Sequence, residues 1–310
     1  AAERAARDRE AFGADAGMIP RGAAGRVTHV SRLQCLQIAI ESQIKRIARE
    51  HPTTKICLIT FNNEVTILGD GIQEPLTIAG SRLDDWEQLG LLADKFPPGK
   101  PAREAEEALI KKLWTIEENS TTSLGPAMRV GISIAGKGKG SSLILCTDGL
   151  ANNGLGNLEG STNSFTAFYN ECAEQATLRG VSVSILSLIG DECKMDCLAT
   201  VAERTSGSVE RVDPRVLKNQ LDSIVGGPKP IAFGGMAMVL LHRGLRFRGE
   251  TDENEQRLWL VRDLGNITNV SECTFRYSFR GKDEVDLTGV SDIPFQVQVL
   301  FTKPDGSVWC

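Results

Sequence analysis

Between residues 119 and 154 the chain gathers oxygen-bearing side chains in an order that can do chemistry. Ser120, Thr122 and Ser123 form a hydroxyl cluster, followed by Leu124-Gly-Pro-Ala-Met128 and an apolar segment. A tight basic turn then leads into Leu143-Ile-Leu-Cys-Thr147, which ends in Asp148-Gly149, with Asn152-Asn153 just beyond. The pattern reads as loop, helix, strand, loop. The hydroxyls stand at the entry to a helix, and the carboxylate stands at the carboxyl end of a buried strand. In an open parallel α/β sheet both positions open on one edge, the edge where ligands bind. A hydroxyl and a carboxylate converging there suit a hard divalent cation such as Mg²⁺. Thr122 and Asp148 are the candidate metal ligands. Ser120, Ser123, Gly149, Asn152 and Asn153 are the candidate partner-binding groups around them. The plainer alternative has Thr122 capping a helix that begins near Gly125, and Asp148 accepting backbone hydrogen bonds in its turn.

The elements that must position these residues follow from hydrophobic periodicity. Residues 1–13 read as a polar helix, and 13–28 as a Gly- and Ala-rich loop. Leu33, Leu36, Ile40, Ile44 and Ile47 recur at three- and four-residue steps, predicting a helix with one buried stripe that Ser31 caps and His51-Pro52 ends. Ile56-Cys-Leu-Ile-Thr-Phe61 is a strand apolar on both faces, Asn62-Asn63 are turn residues, and Val65-Thr-Ile-Leu68 is the hairpin partner. Further helices are expected over 81–95, 101–116, 125–135, 164–179, 194–205 and 214–225. Strands are expected over 142–147, 181–189 and 208–212. This alternation predicts a mostly parallel α/β sheet flanked by helices. Beyond Pro230 the period becomes two and helices are no longer expected. Strands over 236–247, 256–262, 272–279 and 295–301 predict a smaller antiparallel β-sandwich. The expected division is 1–26 (helix and loop), 27–228 (α/β domain) and 229–310 (truncated sandwich).

Thr122-x-Leu-Gly-Pro-Ala-Met128, with the strand ending Thr147-Asp148-Gly149, resembles the second and third parts of the metal-ion-dependent adhesion site of von Willebrand factor A (vWA) domains. The resemblance implies that Thr122 binds a metal directly and that Asp148 acts through a water. The first part of that site, Asp-x-Ser-x-Ser at the end of the central strand, has no match upstream of Arg32-Leu33. The nearest stretch, Asp15-Ala-Gly-Met18, lacks both serines and follows no strand-like run. Two protein oxygens fall short of the near-octahedral shell that Mg²⁺ demands, so the cation is read as optional. The central strand of the fold is likewise expected to be missing, which would leave two neighbouring strands with bare edges. On this reading the chain is unstable alone or pairs with another strand. Both ends look cut from something longer.

The tail, with Gly244-Leu-Arg-Phe247, Arg262-Asp-Leu-Gly-Asn266 and Pro294-Phe-Gln-Val-Gln-Val-Leu-Phe-Thr302, is similar to the β-sandwich that follows the vWA-like trunk in COPII coat subunits. Taken with Ser31-Arg-Leu-Gln-Cys35 and Ile59-Thr-Phe61, the whole resembles the vWA part of circularly permutated Ras-like proteins, which carry a rearranged small GTPase module elsewhere in the chain.

Composition narrows the function. A net charge of −5 argues against nucleic acid as a partner. No apolar run approaches the ~20 residues of a membrane span. The eight cysteines read as reduced structural thiols of a cytoplasmic protein, with Cys57 and Cys146 as small buried hydrophobes; Cys193 and Cys197 lack the further ligands of a zinc site. Asn119, Asn266 and Asn269 begin glycosylation-type triplets that carry no weight without a secretory route. Gly136-Lys-Gly-Lys-Gly-Ser-Ser142 mimics a phosphate loop but runs from helix into strand, the wrong order, so Lys137 and Lys139 are read as solvated. Thr302-Lys-Pro-Asp305 echoes a guanine-reading motif but is hairpin chemistry. None of the three histidines belongs to a catalytic motif. The expected function is a non-enzymatic protein-interaction module whose upper sheet edge meets a protein partner. The alternative is a scaffold or regulatory segment of a GTPase-containing protein, acting through its sandwich.

Overall fold

The computed structural model describes residues 31–118, 121–147, 150–159, 162–188, 195–213, 216–227, 229–281 and 283–310. The helix expected over 1–13, together with Asp15, Ser120, Asp148, Gly149 and Cys193, lies outside the described residues.

Ser31 starts helix α1 (Arg32–Glu50) with a reciprocal capping box. Gln34 N donates to Ser31 Oγ at 3.1 Å, and Ser31 N donates to Gln34 Oε1 at 2.9 Å. Two amides that the first turn cannot pair are thereby satisfied. The chain then forms an antiparallel trio, β1 (Leu58–Phe61), β2 (Val65–Gly69) and β3 (Leu76–Ile78), in the order β1-β2-β3. A second trio, β4 (Ser141–Thr147), β5 (Val181–Leu188) and β6 (Val209–Val212), is parallel throughout. Strand β5 is buried along its whole length, because helices cover both of its faces.

Helices α2 (Trp86–Lys95), α4 (Leu124–Ala135), α5 (Thr162–Arg179) and α6 (Met195–Arg204) pack on one face. There Met128, Ile132, Tyr169, Cys172, Leu198 and Val201 meet Leu145, Val181, Val183 and Ile185. On the other face, α1 packs with α3 (Ala102–Leu113) and α7 (Leu217–Gly226). Two helices bridge the two trios. Along α1, Leu36, Ala39 and Ile40 pack with Leu186 and Leu188, while Ile40 and Ile44 pack with Leu58 and Leu109. Along α4, Met128 and Ile132 belong to the core over β4 and β5, while Ala127 and Val130 belong to the core over β2.

From Ala232 onward the chain is mostly antiparallel sheet. Strand β7 (Ala232–Leu241) lies between β9 (Trp259–Ile267) and β11 (Phe295–Thr302), and β12 (Val308–Trp309) adds to β11. A second sheet pairs β8 (Leu245–Phe247) with β10 (Tyr277–Phe279). Val239, Leu241, Leu245, Phe247 and Leu260 form the core between them. This unit docks on the first through Asn266, which is fully buried. Its Nδ2 donates to Val181 O at 3.0 Å and to Thr205 O at 3.1 Å, and Ser206 Oγ donates to its carbonyl. Gly265, at φ +56°, permits the approach, since a Cβ there would stand 2.1 Å from Arg204 O.

Several expectations need correction. The helix read over 81–95 is a 3₁₀ turn (Gly80–Asp84) followed by α2, because the Asp85 carboxylate accepts from Gln88 N at 2.9 Å and starts a new helix. Strand β3, three residues long after Pro75, gave no readable period. The strand read over 236–247 breaks at 242–244 into β7 and β8, and only Tyr277–Phe279 of the segment 272–279 pairs. A short helix, α8 (Asp252–Gln256), interrupts the antiparallel region. Lys137 is not a solvated turn residue. Its ammonium donates to Ala93 O at 2.8 Å and to Phe96 O, capping the end of α2, and burial lowers its pKa. Among the described residues no helix is long and apolar enough to cross a membrane.

Two stability tests follow from these contacts. Asn266→Ala removes both buried bonds at the junction and is expected to cost roughly 1–3 kcal/mol in urea unfolding, with Asn266→Asp costing more. Asp70 is fully enclosed; its carboxylate accepts from Ile72 N (2.9 Å), Gln73 N (3.1 Å) and Lys100 N (2.8 Å). Burial alone would raise its pKa, but the three amides outweigh burial and hold it below the ordinary carboxylate value. A depressed folded-state pKa stabilises above the unfolded value of about 3.9 and is lost as pH falls through the folded one. Asp70→Asn is therefore expected to lose stability at neutral pH while showing a shallower decline below about pH 4, read from melting temperature against pH.

Candidate functional site

The carboxyl edge of the sheet is built from three loops that come from distant parts of the chain. Asn62 and Asn63 follow β1, Thr122 and Ser123 precede α4, and Asn152 and Asn153 follow β4. Thr122 N donates to Asn152 Oδ1 at 2.9 Å, and Asn152 N returns a bond to Thr122 O at 3.2 Å. Ser123 donates twice to Asn62 O, from N at 2.8 Å and from Oγ at 2.6 Å. Asn153 Nδ2 donates to Ser123 Oγ at 2.7 Å and to Asn63 O at 3.1 Å. Asn157 supports the third loop through a bond from Nδ2 to Asn152 O at 3.1 Å. Gly125 closes the arrangement, because a Cβ there would meet Leu155 O at 2.0 Å.

The structure thus brings Thr122, Ser123, Asn152 and Asn153 into one network. Their roles differ from one another. Thr122 and the two asparagines are half-buried, whereas Ser123 is fully enclosed and builds the edge without presenting a face to a partner. Thr122 is not the helix cap; Ser123 holds the N-cap position of α4, and its hydroxyl is turned to Asn62 rather than to the helix amides. The sequence predicts Asn62 and Asn63 to be turn residues. Asn62 does make the turn, its Oδ1 accepting from Glu64 N at 3.0 Å, yet the backbone carbonyls of both residues are also the acceptors that knit the edge. No side-chain pattern announces a carbonyl acceptor, so the sequence carried no signal beyond the paired Asn doublets.

The bonded groups in this cluster are amides, hydroxyls and carbonyls. Mg²⁺ is usually held through one or two carboxylates, so these groups by themselves do not fit it. Among the described residues no three His, Cys, Asp or Glu side chains lie together as a metal-binding group. The nearby Cys146 thiol is equally unsuited to nucleophilic work. Burial pushes its pKa up to about 12, away from the thiolate form that attacks. Cys57 precedes β1 rather than sitting inside it, and its exposed surface lines a cleft between β1 and β4.

No protein-family model matches the chain. It is 28% identical over 294 residues to circularly permutated Ras protein 1 of Dictyostelium discoideum, an alignment covering 92% of this chain and 34% of that protein. The chain therefore spans about a third of the length of this relative. The crystal structure of the human COPII-coat protein Sec24c superposes with a TM-score of 0.58 at 14% identity, over 89% of this chain and 40% of that one. A von Willebrand factor type A structure from Catenulispora acidiphila superposes with a TM-score of 0.53 at 12% identity, over 88% of this chain and 59% of that one. Fold and sequence agree with each other: the chain has a vWA-type α/β fold continued by antiparallel sheets, and in sequence it is similar to a circularly permutated Ras protein.

Proposed function

We propose that this region is a protein-interaction module that acts by docking rather than by catalysis, within a longer GTPase-containing cytoplasmic protein. One observation carries the reading: three separate loops at the carboxyl edge are fixed to one another by direct hydrogen bonds. Such an edge needs no cation to hold its shape, and a preorganised surface loses little freedom on binding. Asn63, Asn152 and Asn153 offer polar contacts around Thr122. The free thiols of all seven described cysteines support a reducing compartment. The similarity to a circularly permutated Ras protein supports a GTPase module in the same parent chain.

A second reading, a scaffold acting through the antiparallel unit, is favoured by an apolar cleft of about 650 Å³. Phe275, Tyr277, Phe295, Val297 and Val299 line it, and Tyr277, Phe295 and Val297 are each about half exposed.

A photo-crosslinking residue at Thr122 in the intact parent protein is expected to trap a protein partner in cells, with a yield that Asn153→Ala lowers severalfold. The same residue at Lys139, in the turn at the opposite end of β4, is expected to trap none. Equal yields from both positions would overturn the docking edge. Loss of the adduct on Phe295→Asp with Val297→Asp, but not on Asn153→Ala, would move the partner to the antiparallel unit. Calorimetric titration with Mg²⁺ is expected to give matching flat traces for the parent chain and Asp148→Ala. A binding isotherm in the parent alone would restore the metal.

A further inference from the structure

Strand β7 is apolar on both of its faces, although only one of them is covered. Ala237, Val239 and Leu241 point into the antiparallel unit and are buried. Met236, Met238 and Leu240 alternate with them and so stand on the outer face. Strand pairing widens that face, because residues opposite each other across a ladder share one side of the sheet. Leu240 lies opposite Trp259, Met238 opposite Val261, and Met236 opposite Leu300 of β11. Trp259 is 50% exposed, Val261 46%, Met236 43% and Leu300 37%. The outer side of a sandwich is ordinarily polar. A strand that is apolar on both faces is normally covered on both, as β5 is.

The patch is built like an interface. Trp and Met, types enriched where proteins meet, stand at its centre. Its rim is polar, with Gln296 and Gln298 of β11 opposite Leu240 and Met238. The exposed parts of the six apolar side chains sum to on the order of 400 Å². That matches the apolar share of the ~800 Å² that each member of a stable complex buries.

The charges at the ends of the patch select the occupant. Arg257 stands two residues before Trp259, with its guanidinium carbon 5.6 Å from the indole centroid. Asp263 stands two residues after Val261, opposite Met236. One strand thus carries a cation at one end, a carboxylate at the other and an apolar pair between them. A twofold axis crossing β9 between Trp259 and Val261 reverses the strand in a second copy. Arg257 of each copy then faces Asp263 of the other, and Trp259 faces Val261. Arg257 also meets Glu253 of α8, but that exposed pair contributes little and leaves the cation able to change partners. A twofold contact is self-complementary, so neither copy keeps a bare patch.

We propose that the outer face of β7 and β9 is a homodimer interface, seating the same face of a second copy of this chain with its strands reversed. This face lies across the sheet from the apolar cleft that Val239 and Val297 line, and it is separate from the carboxyl edge.

The test uses the intact parent protein. Sedimentation equilibrium is expected to give twice the chain mass. Trp259→Asp is expected to weaken the dimer roughly tenfold or more while the circular dichroism spectrum is unchanged. Arg257→Glu is expected to weaken it as well, and adding Asp263→Arg to restore it. A photo-crosslinking residue at Val261, in an equilibrated mixture of light and heavy-isotope protein, is expected to join a light chain to residues 257–263 of a heavy one. A monomer at every concentration, or a dimer indifferent to Trp259→Asp, overturns the proposal. So does a double variant no tighter than Arg257→Glu, or an adduct found only within one copy or on a different protein. If Trp259→Asp does not fold, the crosslink at Val261 decides alone.

Discussion

The two strand trios are held together by helices rather than by a shared hydrogen-bond ladder among the described residues. Helix α1 lies across one face, with Leu36 and Ala39 on the parallel trio and Ile44 on the core beside β1. Helix α4 does the same on the opposite face through Met128 and Ala127. Apolar contact is non-directional, so it fixes the layers without fixing the register between β1 and β4. The loops after those strands supply the missing direction. Ser123, at the start of α4, ties Asn62 to the loop that carries Asn153, so the clamp and the candidate docking edge share one residue. A change at Ser123 is therefore felt in the alignment of the trios as well as in the edge itself.

Much of the scaffold was legible because burial leaves a periodic trace. The stripe from Leu33 to Ile47 marks α1, and the capping residues Ser31 and Gln34 fix its first turn. Strand β5 shows as a run whose side chains are all buried, since both of its faces are covered. Elements without a repeating apolar face left less. Strand β3 is too short for a period, and the break before α2 depends on one carboxylate, Asp85, in a stretch where helix propensity runs through. Lys137 looked solvated because nothing local reveals that the end of α2, some forty residues earlier, presents two carbonyls to it.

The candidate site was legible as a place more than as a mechanism. The sequence located the edge from a hydroxyl cluster and a strand terminus, and the fold brings Thr122 and Asn152 together there. What it could not supply was the division of labour. Whether a serine faces solvent or a carbonyl depends on a partner sixty residues away, as Ser123 and Asn62 show. Asp148 and Gly149 lie outside the described residues.

Asn266 begins an Asn-Ile-Thr triplet that an oligosaccharide transferase would accept in an extended chain. In the folded protein that amide nitrogen is enclosed between two backbone carbonyls, with Thr268 buried two residues on. A sugar attached there during synthesis would occupy the space where the antiparallel unit meets Val181 and Thr205. Glycan addition and closure of this junction are therefore mutually exclusive.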